Sequence, residues 1–378
     1  MKIKNIFNLI KNVIYLYVNM SKNGGDFIKK LLPSQKKWLK TKNKKQIRKL
    51  QKRNKCNRIR ILHNTPHHCH NNTLIIKAPK VFSVVENPEE TMRCFYEIIK
   101  DTSYKEFDKR YYFDWSEVEE VSIDAIMYVI AIVKNMKTSE LFRYQFYGNQ
   151  PKNQDVRDLL DECGFYHYVS QKSRRINTQK NTITIKSGKK VDSDVAKEIC
   201  KFVNNKCNTT KRFTQSLYTI LIELMDNVVQ HAYTELQSTT FSRWYVFVED
   251  NEEYIKFTFL DTGSGIPNTI NKRIAENALR FVHLKTDSSL LLSALRGEFR
   301  TSTQSTNRGK GLPEILKYGY NVFVNRFMIF SGKGSCVIIN EKDIRLKDYN
   351  NKTFGTLCYW EIDKNMIDER DRNGNNKN

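Results

Sequence analysis

An apolar alternation from Tyr254 to Phe259 runs into an acid and a pair of glycines, Asp261-Thr262-Gly263-Ser264-Gly265-Ile266-Pro267. Tyr254, Lys256 and Thr258 interleave with Ile255, Phe257 and Phe259, the period of two expected of a half-buried strand. An acid at the end of such a strand projects from a backbone held by its neighbours. The glycines let the following chain turn tightly or approach a ligand closely. Taken alone, the same residues also fit an ordinary strand-loop-helix turn, because short glycine patterns recur by chance.

Two further segments carry related chemistry. Upstream, residues 213–233 have the stripe Phe213, Leu217, Ile220, Leu221, Leu224 and Val228, which predicts a long amphipathic helix. Glu223 and Asn227 are four residues apart and stack one turn from each other beside that stripe. Together they could offer oxygen ligands to a hard cation such as Mg²⁺, or a carboxylate to an attacking water; a solvated helical face is the plainer alternative. Downstream, Arg308-Gly309-Lys310-Gly311-Leu312 opens a helix containing Ile315 and Leu316. Free amides at a helix start, with basic side chains beside them, suit phosphate.

In this order the three segments resemble the GHKL superfamily, the Bergerat-fold ATPases of gyrases, heat-shock chaperones, histidine kinases, anti-sigma-factor kinases and mismatch-repair proteins. The resemblance covers residues 182–362. It implies that Asp261 contacts the adenine amino group while Gly263 and Gly265 permit close approach of the nucleotide. Asn227 would hold Mg²⁺ and Glu223 would be the catalytic general base. Arg308, Gly309, Lys310, Gly311 and Leu312 would wrap the phosphates under a lid spanning residues 268–308. Thr356, on a late strand, would join the adenine site through water. The implied cofactors are ATP and Mg²⁺.

Residues 71–170 alternate strand and helix patterns, with a strand and turn at 73–85, strands at 110–118 and 141–149, and helices at 88–102, 122–136 and 154–169, the last ending near Gly164. The segment from Tyr112 to Ile132 resembles the central strand, loop and helix of STAS-like domains, which implies a protein partner. Where that family has a phosphorylatable serine, this chain has Ile123, between Ser122 and Asp124. The polar run 170–181 is the expected boundary between the domains. The fold class expected is therefore α+β: a Bergerat-type α/β sandwich, with a mixed sheet and helices on one face, preceded by a smaller STAS-like α/β domain. Residues 363–378 have too little apolar content to fold and are expected to be disordered.

Charge places the rest of the chain outside these domains. Residues 1–80 hold 21 Lys and Arg against the single acid Asp26, so nearly all of the net +23 belongs to an N-terminal arm, residues 1–70, expected to be partly helical. Fifteen of these basic residues lie between Lys29 and Arg60 and could meet nucleic acid or another polyanion. Ile3, Ile6, Phe7, Ile10, Val13, Ile14 and Tyr17 share one helical face, which could dock on the protein or rest on a membrane surface. Lys4, Asn5, Asn8, Lys11 and Asn12 interrupt any run that could span a bilayer, so no transmembrane segment is expected. His63, His67, His68 and His70 lie beside Cys69 without standard zinc spacing, leaving either a metal site or a polar connector. The eight cysteines form no Cys-x-x-Cys pair, which fits a reducing, cytoplasmic setting.

These features point to an ATP-binding regulatory protein: a slow Mg²⁺-dependent ATPase that switches by lid closure. The alternatives are an anti-sigma-type serine/threonine kinase and a nucleic-acid-binding module with ATP as a structural ligand. A histidine kinase would need a His-Glu-x-x-x-Pro dimerisation helix, and histidine kinases usually carry asparagine where Glu223 stands. For the arm, nucleic-acid affinity should fall steeply with salt, because each neutralised phosphate releases a counterion. Deleting residues 1–60 is expected to remove that salt-steep binding and leave ATP binding intact; equal affinities of full-length and truncated protein across a salt series would refute it.

Overall fold

The computed structural model describes residues 73–102, 110–137, 145–169, 181–207, 209–232, 243–270, 286–299 and 311–365. The N-terminal stripe, the basic run 29–60, the cluster His63–His70, residues Arg308, Gly309 and Lys310, and the tail 366–378 lie outside the described residues. Among the described residues no helix is long and apolar enough to cross a membrane.

The fold is α+β, and residues 71–378 form one compact unit. Its first part is a parallel sheet in the order β1 (Thr73–Lys77), β3 (Arg110–Asp114), β5 (Gln145–Gly148). A two-residue parallel ladder joins β2 (Val81–Phe82) to β4 (Glu120–Val121). The crossover helices are α1 (Pro88–Thr102) and α2 (Ile123–Lys137). The helix expected to end near Gly164 is broken there into α3 (Gln154–Glu162) and α4 (Phe165–Val169).

The second part contains, in chain order, β6 (Thr182–Gly188), α5 (Ser193–Cys207), α6 (Lys211–Ala232), β7 (Trp244–Asp250), β8 (Tyr254–Asp261), α7 (Asp287–Leu295), α8 (Gly311–Gly319), β9 (Val324–Ser331), β10 (Gly334–Ile338), β11 (Ile344–Asp348) and β12 (Thr356–Asp363). Its seven strands run in the order β11-β10-β9-β12-β8-β7-β6. The expected mixed sheet is antiparallel in every pairing. The chain reverses through short turns after β7, β9 and β10, and β12 slots between β8 and β9 antiparallel to both.

Both faces of this sheet are buried. On β7, Trp244, Val246 and Val248 pack with Ile199, Leu217 and Leu221 of the helical layer. Tyr245 and Phe247 point the other way and pack with the core of residues 76–165, where Phe95, Tyr111 and Tyr128 lie. For that reason β8 is only half-buried, as its alternation predicts, in its first half; Thr258 and Leu260 are buried as well. At the edge of this contact Arg326 bridges Glu361 at 3.1 Å and Glu86 at 3.3 Å.

The span 268–308 is not uniformly a lid. Within it α7 starts with a Thr286 capping box and buries Leu291 and Leu295 in the helical layer. Asp287 accepts the Lys333 amide at 2.7 Å, and both the amide and hydroxyl of Ser288 bond to Asp348. The tail also begins later than its composition indicates. Asp363 still belongs to β12, and Lys364 donates to Asp250 at 2.9 Å and to the Asn251 carbonyl at 2.8 Å.

A common core predicts cooperative behaviour. Phe330 is fully buried on the face toward residues 76–165, so Phe330→Ala should cost about 3–5 kcal/mol. Urea unfolding followed by circular dichroism should keep a single transition at lower midpoint. A low-urea step that leaves the seven-stranded sheet intact would disprove the common core.

Candidate functional site

The site is assembled at one end of the sheet, where β8 and β12 meet α6 and α8. Thr210 caps α6 by accepting the Phe213 amide at 3.2 Å, and the stripe from Phe213 to Val228 is buried against the sheet. That docking turns Glu223 and Asn227, both half-buried, toward the first turn of α8. Pro313 fits that turn because early helix amides have no intrahelical partner. A Cβ added to Gly311 would lie 2.7 Å from Glu223 Oε2 and 3.3 Å from Asn227 Oδ1. Only glycine lets the start of α8 come this close to the pair.

Asp261 closes β8. One carboxylate oxygen accepts the Gly263 amide at 2.7 Å, and Thr356 is its direct cross-strand partner on β12. Thr356 is in turn paired with Ser331 on β9, so Ser331, Thr356 and Asp261 form one row across the sheet. The buried Ser331 hydroxyl accepts the Ile266 amide at 2.9 Å, donates to the Gly355 carbonyl at 3.1 Å and lies 3.1 Å from the Thr356 hydroxyl. This pins the loop after Asp261 against the sheet. Gly265 sits in that loop at φ +82°, a left-handed conformation, and a Cβ there would press on Ser331 Oγ at 3.0 Å.

A pocket open to solvent lies over this row, with about 620 Å³ of space between atoms when the open solvent is included. Asn227, Asp261, Gly263, Gly265, Leu312 and Thr356 all line it. Glu223 stands beside it through Gly311, while Arg308, Gly309 and Lys310 lie outside the described residues. The remaining walls are largely apolar, with Val228, Ile266, Ile315 and Ile329 among them. Among the described residues no cluster of three or more His, Cys, Asp and Glu is placed to hold a metal ion by itself. Any cation here would have to complete its shell with ligand oxygens and water.

Sequence reasoning missed Ser331. Its signal was present: an apolar run, Phe327 to Phe330, ends on a polar residue with a glycine close behind, as Phe259 and Leu260 run into Asp261 with Gly263 two residues on. Nothing local in the sequence pairs those two strand ends through β12.

Burial raises both carboxyls. It pushes Asp261 up to about 6, against the opposing hydrogen bonds from Gly263 and Thr356. Glu223 is also raised, first by burial and then by the neighbouring charges of Asp226 and Glu314. The Cys358 thiol in the pocket wall is shifted far upward by burial and stays protonated. The site can therefore offer a desolvated acceptor at the sheet and a proton-accepting carboxylate at the helix pair. Compared with known protein families and with curated proteins, the sequence gives no match.

The Asp261 shift has a defined sign. Its folded value of about 6 exceeds the ordinary 3.8, so the folded protein binds the extra proton between these values, and stability falls as pH rises through that window. Asp261→Asn should be more stable than wild type at pH 7, by about 1–3 kcal/mol, and should converge on it near pH 4. Denaturant unfolding at the two pH values measures this. A gap independent of pH would place the ionisation elsewhere.

Proposed function

We propose that residues 182–363 form an ATP-binding domain of the GHKL type, preceded by a STAS-like unit, and that the protein is a slow Mg²⁺-dependent ATPase acting as a conformational switch. The observation that carries this proposal is the convergence of Asn227, Asp261, Gly263, Gly265, Leu312 and Thr356 on one pocket, from segments far apart in the chain. An apolar-walled pocket with a carboxylate at its sheet end suits a purine that has an exocyclic amino group. Asp261, half-buried and hydrogen-bonded to Gly263, would accept from that amino group, and Thr356 would fix the carboxylate from the neighbouring strand.

The polar groups at the opposite wall fit a magnesium-bound triphosphate. Asn227 would supply an oxygen to the cation, and the space left by the missing Gly311 side chain keeps the α8 amides next to it. Bound Mg²⁺ would supply neutralisation of the phosphate charge. Glu223, with its proton affinity raised by burial and by Asp226 and Glu314, would orient a water and take its proton. A route to the rest of the molecule is also present. The Tyr128 ring of α2 meets Phe354 edge-on at 5.1 Å, two residues before Thr356, so a shift of that loop would be felt by the STAS-like unit.

Calorimetry of the full chain with Mg-ATP and Mg-GTP tests the proposal. Wild type should prefer ATP. Asp261→Asn should lose about 1.5–3 kcal/mol of ATP affinity and far less for GTP, since it removes a charged acceptor. Asn227→Ala should remove the magnesium dependence of binding while the protein stays folded. Equal affinity of wild type for the two nucleotides would sink the adenine assignment. With γ-labelled ATP, released phosphate supports hydrolysis, and label on protein would replace it with kinase activity.

A further inference from the structure

Among the described residues, the three-stranded parallel sheet has one covered face and one open face. Its strands follow in the order β1-β3-β5, so right-handed crossovers put α1 and α2 on the same side. Ile76, Tyr111 and Phe113 point to that side and are buried with Phe95 and Tyr128. The other side carries the intervening residues. Register places Ile75, Tyr112 and Tyr147 in one row across β1, β3 and β5. Ile75 is 50% exposed and Tyr147 38%, although parallel sheets are normally covered on both faces.

The chemistry of this face is specific. Tyr147 donates its hydroxyl to the Gln145 side chain, two residues back on the same face, at 2.6 Å. Tyr147 keeps this exposure with its hydroxyl tied to its own strand. Tyr112 is its neighbour on the adjoining strand, at the inter-strand spacing of about 4.8 Å. Lys77 and Arg110 stand on either side of the row, two residues from Ile75 and Tyr112 respectively. Among the described residues of this face the one acid, Asp114, is the cross-strand partner of Lys77 and is also engaged by the Asn149 side chain at 2.7 Å and the Ser116 amide at 3.0 Å.

We propose that this open face, centred on Tyr112 and Tyr147, is a stacking platform for about two bases of single-stranded nucleic acid, with Lys77 and Arg110 meeting the flanking phosphates. Adjacent aromatics on neighbouring strands present successive ring faces to unpaired bases, which a duplex keeps stacked inside. A second copy of this chain is the competing occupant, and the cations Lys77 and Arg110 on this face favour a polyanion over it. The platform is independent of the nucleotide pocket and of its assignment.

The test uses the full chain and a short end-labelled oligouridylate, followed by fluorescence anisotropy at about 0.5 M NaCl, where exposed charges are largely screened. Tyr112→Ala and Tyr147→Ala should each weaken binding about tenfold, and Tyr147→Phe should retain wild-type affinity. Unchanged thermal unfolding of the variants confirms that the fold survives. Alanine variants that bind like wild type, or a duplex of equal length that binds as tightly as the single strand, would overturn the proposal. So would a concentration-dependent dimer that Tyr147→Ala dissolves while no oligonucleotide binds.

Discussion

The pairing of β12 with β8 on one side and β9 on the other is the constraint on which the rest of the molecule depends. It places Ser331, Thr356 and Asp261 in a single row and so defines the polar end of the pocket. The same three strands supply side chains to both cores, Phe257, Ile329 and Trp360 to the helical layer and Leu260, Phe330 and Leu357 to the opposite one. Site and stability thus share a backbone. The stacked rings of Phe257, Trp360 and Phe327, with centroids 4.7 and 5.4 Å apart, lie along this central ladder.

A site made this way works against the interior that holds it. Asp261 is kept at the end of a buried strand, where desolvation disfavours its charge, and Glu223 is crowded by two other acids. Apolar packing on both faces of the sheet offsets that cost and holds the carboxyls half-buried at the pocket. Pre-oriented, poorly hydrated acceptors of this kind interact with a ligand more strongly than the same groups in water. Placement at strand and helix ends matters too, because backbone amides there are free to turn toward a ligand.

Local pattern carried a large share of this architecture. The period-two run before Asp261, the stripe that positions Glu223 and Asn227, and the glycine before Leu312 are all short-range signals, and each marks an element that meets the pocket. What stayed illegible depends on partners distant in the chain. Thr258 and Leu260 look like an outer face until residues 76–165 are folded over them. Strand direction, and the pairing that makes Ser331 part of the site, follow from where β12 inserts. The helix α7 shows little amphipathic patterning because its short run Leu290-Leu291-Leu292 serves the core of the helical layer and a small cluster beside it at once. Its span therefore resembles a loop in sequence while being anchored in the structure.

The position of β12 in chain order has a consequence for biosynthesis. It is the last strand of the described sheet and yet sits near its middle. During synthesis from the N-terminus, β6 and the β7–β8 hairpin, separated by α5 and α6, emerge as one half, and β9, β10 and β11 as another, each with an inner edge that has nothing to pair with. Such edges are sticky, and long-range pairings form slowly. The nascent chain must therefore hold two unfinished half-sheets apart until residues 356–363 leave the ribosome, and only then do they close into one.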